Sequence, residues 1–267
     1  MDEVETEELI NDEKEPVINS ESKLALRNMM EVGLFYGLSK SRTNPKTKPY
    51  IASTKSGIEI IDLRKMLESV KKASEFLKEK IKNGGLPLLV GTTPSVKKTV
   101  NELGKKLSVP YVTERWLGGT LTNFKSISAR IEELKKLKQD KESGNLDKYT
   151  KKERLLIDKR MEKLDKFFSG LQTMNKLPDV VVIFDLKNHE IVARETKKLG
   201  IKSIAVLNTN ADPELVSYPV VANDRNPKSI EFLATFIEKA IEEGKKEAQK
   251  ITIEKADKEK EKEKGND

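Results

Sequence analysis

From Gly57 onward the chain alternates short apolar runs with stretches whose apolar residues recur every three or four positions. The runs GIEII (57–61), PLLVG (87–91), PYVT (110–113), DVVVIFD (179–185) and SIAVLN (203–208) read as strands. They are nearly continuous in apolar side chains, as strands buried on both faces must be. Between the first two, Leu63, Met66, Leu67, Val70, Ala73, Leu77 and Ile81 fall on one helical face, with Asp62 as the cap and Asn83-Gly84-Gly85 as the stop. Further helices are expected over Pro94–Leu107, with proline in the first turn, over Glu190–Leu199, and over 227–243, to which VSYPVVAN leads. Strands alternating with helices predict an α/β three-layer sandwich around a parallel sheet.

Between PYVT and DVVVIFD the pattern changes. Phe124, Ile127, Ile131 and Leu134 step by three and four, and so do Ile157, Met161, Leu164, Phe168 and Leu171, with a break at Ser143-Gly144-Asn145. The other faces are heavily charged. This predicts an antiparallel coiled-coil hairpin projecting from the sheet. Before Gly57 the periodicity is weaker. Residues 23–32 predict a short helix ending at Gly33, and 37–57 predict an extended basic loop that Pro45 and Pro49 keep out of regular structure. Residues 1–20 are polar and predict disorder.

Charge sharpens this division. The chain of 267 residues carries a net +7, but residues 1–21 hold nine acids and one base, so the body over 22–244 carries +14. A body this basic attracts polyanions. The tail beyond 244 alternates Lys and Glu, which either extends the last helix through i, i+4 pairs or leaves it disordered. Cysteine is absent, which rules out disulfides and thiolate chemistry and fits a reducing cytoplasm. The opening residues do not read as a signal peptide, and no apolar run is long enough for a membrane span.

Doubly wound sheets bind ligands at the carboxyl ends of their strands, so candidate chemistry belongs there. Gly91-Thr92-Thr93-Pro94-Ser95 follows the second strand and Arg115-Trp116-Leu117-Gly118-Gly119-Thr120-Leu121-Thr122-Asn123 the third. Neither matches the dinucleotide fingerprint or the P-loop. The second segment could cradle an RNA phosphate with its amides, Arg115 and Thr122, or be a tight turn with Gly118 and Gly119 at positive φ. Trp116 could stack on a base but more ordinarily packs in a core or interface. His189 is the sole histidine and reads as a surface residue near a helix cap. One histidine and no cysteine leave no basis for a zinc site. Asp185, Asp212 and Asp224 read as turn and cap residues rather than a metal set. The segment Lys40–Tyr50, with Lys40, Arg42, Asn44, Lys46 and Lys48, is the strongest nucleic-acid candidate, since its cations, hydroxyls and amides suit phosphate and sugar. The hairpin cations, among them Lys125 and Arg130, come second. On residues alone, three functions remain open: an RNA-binding scaffold, a nucleotide- or phosphate-binding α/β enzyme, and a coiled-coil interaction module.

Several segments in order resemble the family of the second protein of the bacterial small ribosomal subunit. They are Asn44-Pro45-Lys46-x-Lys48-Pro49-Tyr50-Ile51, Gly57-Ile58-x-Ile60-Ile61-Asp62-Leu63, Val90-Gly91-Thr92, Leu177-Pro178-Asp179 and Asn208-Thr209-Asn210-x-Asp212-Pro213. The most specific is Pro110-Tyr111-Val112-x-x-Arg115-Trp116-Leu117-Gly118-Gly119-x-Leu121-Thr122-Asn123-Phe124-Lys125. The resemblance runs from about Met30 to Gly244. It implies a five-stranded parallel sheet of the flavodoxin-like or Rossmann-like kind with a protruding hairpin. It implies binding to small-subunit ribosomal RNA near the head–body junction, contact with neighbouring ribosomal proteins including the large messenger-binding one, no catalysis and no cofactor. The family usually has histidines where this chain has Phe35 and Leu38, and tryptophan where it has Thr43. With the resemblance, the chain is expected to divide into an acidic extension (1–20), an α/β RNA-binding domain (21–122 and 176–244), the hairpin insertion (123–175) and a charged tail (245–267). RNA contacts are expected from Lys40, Arg42, Asn44, Lys46, Lys48, Arg115, Gly118, Gly119, Thr122, Asn123, Lys125 and Arg130.

Overall fold

The computed structural model describes residues 20–146 and 148–264. All of the expected acidic extension but Ser20 lies outside them; Ser20 opens helix α1 (Ser20–Glu31). Gly33, at φ 71°, follows that helix.

Five parallel strands form the central sheet: β4 (Pro87–Val90), β5 (Tyr111–Val112), β6 (Val180–Phe184), β7 (Lys202–Leu207) and β8 (Tyr218–Val221), in the order β5-β4-β6-β7-β8. Every residue of β4 and β6 is buried, which accounts for their unbroken apolar sequence. The order reverses between β4 and β6, the switch point of a doubly wound sheet. Helix α2 (Leu63–Lys82) packs on β8 and on α7 (Pro227–Lys264), and α7 also packs on α3 (Pro94–Leu107). Helix α6 (Glu190–Leu199) connects β6 to β7. The result is the three-layer α/β fold.

GIEII does not join this sheet. Ile58–Ile61 is β3, the middle of a separate antiparallel sheet with β1 (Tyr36–Ser39) and β2 (Ile51–Lys55). A hairpin turn at Ser56-Gly57 joins β2 to β3, and both residues have positive φ, 50° and 76°. That is the backbone a two-residue hairpin turn demands. The fifth parallel strand is instead Tyr218–Val221, in the segment read only as a lead into the last helix. The expected irregular loop over 37–57 is likewise more ordered than its prolines suggested. Two 3₁₀ segments, Lys40–Arg42 and Pro45–Tyr50, separate β1 from β2. Pro45 sits at the start of the second, where its missing N–H costs nothing, and the Asn44 side chain accepts from the Lys46 amide.

Helices α4 (Phe124–Glu142) and α5 (Lys151–Phe168) pack on each other. Ile131, Leu134, Phe168 and Leu171 are buried, and Phe124, Ile127, Met161 and Leu164 are packed against them and the core. Outside this seam Lys138 pairs with Asp165 at 2.5 Å, Lys141 with Asp158 at 2.8 Å, and Arg160 with Glu133. Thr150 and Glu153 form a reciprocal capping box at the start of α5. The last helix continues to Lys264, the helical one of the two alternatives open for the tail. Lys78 of α2 holds Glu243 and Glu247, both at 2.9 Å, and Lys245 donates to the Leu107 carbonyl, so the first turn of the Lys/Glu stretch is docked on the body.

Candidate nucleic-acid interface

The segment 40–50 is anchored to the carboxyl end of β7. The Asn44 amide donates to the Thr209 carbonyl at 2.8 Å, and the buried Thr47 hydroxyl donates to the same carbonyl at 2.9 Å. Thr209 in turn accepts from the Leu38 amide through its own hydroxyl. This framework leaves Lys40, Arg42 and Lys48 exposed. Lys46 is exposed too, but its ammonium lies 2.8 Å from Asp212 and 2.6 Å from Glu214. Hydrogen bonds that it donates to Asp212 and then to Glu214 hold its pKa above the ordinary value for lysine. Of the four cations expected here, three point to solvent unpaired among the described residues and one is tied down within the chain. Asn44 spends its side-chain oxygen on the local turn. Phe35 and Leu38, at the positions where the family usually has histidine, are buried apolar residues, and the Phe35 ring lies tilted by 34° against that of Tyr36 with centroids 4.1 Å apart.

The segment 115–123 is built around a residue that the sequence did not single out. Glu195 of α6 is 8% exposed. Its Oε1 accepts from the Trp116 indole N–H at 3.0 Å and the Gly119 amide at 2.9 Å. Its Oε2 accepts from the amides of Leu121 at 3.0 Å and Thr122 at 3.2 Å, and from the Thr122 hydroxyl at 3.4 Å. Burial pushes the Glu195 carboxyl up, but the hydrogen bonds from Trp116, Gly119, Leu121 and Thr122 outweigh it and leave the group below the usual glutamate value. The amides considered for an RNA phosphate are thus already occupied by an anion of the protein itself. Only Gly119 has positive φ, 89°; Gly118 does not, contrary to the expectation for both. Trp116 is half-buried, packed against the core and bonded through its indole nitrogen, which is the packing role. On the outward side Arg115, Asn123, Lys125 and Arg130 are exposed. Arg130 pairs with Glu133 at 2.9 Å, whereas Arg115 and Lys125 make no ion pair among the described residues.

A cavity of about 400 Å³ opens at the carboxyl ends of the parallel strands, between Thr93, Asp185, Asn210 and Asp224. The Thr93 hydroxyl and the Asn210 side-chain oxygen are buried without a hydrogen-bond partner among the described residues, whereas the two carboxylates are bonded. Asp185 accepts from the Asn188 amide and side chain, and Asp224 accepts from Asn208 at 3.0 Å. Asp212 accepts from the Glu214 amide, so Asp185 and Asp212 are the cap residues expected. Asp224 is a buried carboxyl. Burial is the main cause that raises its pKa to about 6. His189, expected at the surface, is 2% exposed. Its Nδ1 lies 2.7 Å from the Asp185 carbonyl, so Nδ1 donates and Nε2, 3.0 Å from the Thr92 hydroxyl, accepts. Burial holds its pKa below the ordinary value. Among the described residues no group of three or more His, Asp or Glu side chains is placed to hold a metal ion, and no helix is long and apolar enough to cross a membrane.

The two candidate segments therefore dock on different elements, 40–50 on the β7 end and 115–123 on α6, and each turns its polar backbone inward and its cations outward. Comparison with known proteins gives this arrangement a family. The model of the ribosomal protein S2 family matches residues 29–244. The small ribosomal subunit protein uS2 of Dictyoglomus thermophilum is 43% identical over 222 residues, covering 83% of this chain and 90% of the relative. That of Coprothermobacter proteolyticus is 39% identical over 228 residues, covering 85% of each. The matched span includes the parallel sheet, the helical pair and both candidate segments, and so the chain belongs to the ribosomal protein S2 family.

Proposed function

We propose that this chain is a structural, non-catalytic constituent of the small ribosomal subunit. It binds small-subunit ribosomal RNA near the head–body junction and touches neighbouring ribosomal proteins, including the large messenger-binding one. The observation that carries the reading is the family match over residues 29–244, supported by relatives about 40% identical over most of their length that are named small ribosomal subunit proteins. The α/β domain over 21–122 and 176–244 supplies the RNA-binding body, and the hairpin over 123–175 is its inserted arm.

The unpaired outward cations Lys40, Arg42, Lys48, Arg115 and Lys125 meet phosphates, with Asn123 and Arg130 beside them. Lys46, Asn44, Gly118, Gly119 and Thr122 shape the two segments that present those cations. No groove-reading motif is needed, because folded RNA is recognised by shape and backbone. The test is binding of the purified chain to small-subunit ribosomal RNA across a salt series. Each phosphate contact contributes about 0.7–0.9 to the log–log slope. Joint replacement of Arg42 and Lys48 by alanine is expected to lower the slope by about 1.5. Lys46→Ala is expected to leave the slope nearly unchanged, because its charge is already matched by Asp212 and Glu214. A wild-type slope in the double variant would remove the segment from the interface.

A further inference from the structure

Glu195 is one of the buried acidic residues, with Glu59, Asp185 and Asp224. It sits on the buried stripe of α6 with Val192 and Thr196, where a carboxylate is costly unless donors meet it. Five donors meet it, all from Trp116–Thr122, and a carboxylate has about four lone-pair sites to offer. The loop carries further internal bonds. The Thr120 hydroxyl donates to the Leu117 carbonyl at 2.6 Å, and the Asn123 amide donates to the Gly119 carbonyl at 2.8 Å. Gly119, at φ 89°, lets the chain curl so that three amides converge on one point. This is the geometry of a backbone anion nest, filled from inside the protein. Arg115 enters the loop from one side, and Lys125 leaves it in the first turn of α4 on the other.

We propose that Glu195 is the positioning residue of this loop: it fixes the conformation from which Arg115 and Lys125 reach RNA phosphates, and it withholds the loop amides from the RNA. The inference rests on the RNA-binding reading above and assigns the division of labour within it. Phosphate is met by flexible cationic side chains on a loop locked by an internal carboxylate. Because Asn123 is the residue before α4, the same carboxylate sets where the helical pair begins.

The experiment uses the full chain with Glu195→Gln, which keeps size but presents an NH₂ to amides that need an acceptor. Amide hydrogen exchange over 116–123 and the salt dependence of binding to small-subunit ribosomal RNA are read on the same samples. The expected result is faster exchange at Gly119, Leu121 and Thr122, RNA affinity about tenfold lower, and a slope reduced to that of Arg115→Ala/Lys125→Ala. Adding Glu195→Gln to that double variant should then change nothing further. A merely structural role would leave the slope where wild type has it. Faster loop exchange with wild-type affinity and slope would overturn the proposal, and so would unchanged exchange. Trp116→Phe removes one donor and keeps the ring, so it reads the same effect should the Gln variant fold poorly. It should speed exchange at Gly119 and weaken binding two- to threefold, and no change in either would also overturn the proposal. Failure of the wild-type chain to bind the RNA at all would instead sink the RNA-binding reading.

Discussion

Asp224 and His189 lie at the strand ends, where the sequence reads as caps and turns, and both are buried. Spacing along a chain reports which residues follow a strand, but not whether the next loop folds over them. Here Asn208 and Thr92 close on the two groups from other strands. Their titration has measurable consequences. The Asp224 carboxyl is raised from 3.8 to about 6, so the fold prefers its protonated form. The unfolded chain ionises first as pH rises, and stability falls between about pH 4 and pH 6. The shift is equivalent to about 3 kcal/mol at most. Asp224→Asn removes that loss. The variant is expected to match wild type near pH 4 and to be more stable by up to about 3 kcal/mol at pH 7.5, as read by denaturant unfolding at the two pH values. Equal stability at both would show that Asp224 ionises freely in the fold. Glu195 behaves in the opposite sense. Its depressed pKa gives stability above the ordinary glutamate range that is lost as pH falls through the folded value. It was missed in the sequence because one charged residue in EIVARETKKL looks like a solvated face. The signal was its place on the stripe Val192, Glu195, Thr196, opposite a loop rich in free amides.

The elements with long, strong periodicity were legible. The helix over Leu63–Lys82, the buried strands β4, β6 and β7, and the seam of the helical pair all lie where the apolar spacing put them. Short strands were not separable by pattern. Ile58–Ile61 and Tyr218–Val221 are both four residues with mixed exposure, and the sequence exchanged their places. Sheet membership depends on tertiary pairing, and Ser56-Gly57 was the local clue that Ile58–Ile61 is the second arm of a hairpin. The two-residue strand β5 depends on close packing. Tyr111 lies between α3 and the 3₁₀ turn Ser169–Leu171, and a Cβ on Gly170 would meet the Tyr111 carbonyl oxygen at 2.3 Å. Because that contact is backbone rather than a movable side-chain tip, Gly170→Ala is expected to cost about 1–3 kcal/mol by overpacking. A thermal melt within a degree of wild type would show that the edge strand yields instead.

At the scale of the molecule, many of the body's cations are held within the fold. Lys78, Lys82 and Lys106 are engaged with acids on α7, and Lys138, Lys141 and Arg160 pair between α4 and α5. Charge counting located a strongly basic body but could not say which cations the fold would spend internally. Lys46 shows the difference: read as one of the cations of the RNA segment, it bridges to Asp212 and Glu214, 166 and 168 residues away. What remains outward and unpaired among the described residues is a smaller set, led by Lys40, Arg42, Lys48, Arg115 and Lys125. The measurement that tests the central claim most directly is sucrose-gradient sedimentation of the tagged full chain from a lysate, with and without ribonuclease and high salt. Ribosomal membership held by RNA phosphates predicts co-migration with the small subunit that is lost after either treatment. Migration as a free protein under every gentle condition would contradict it.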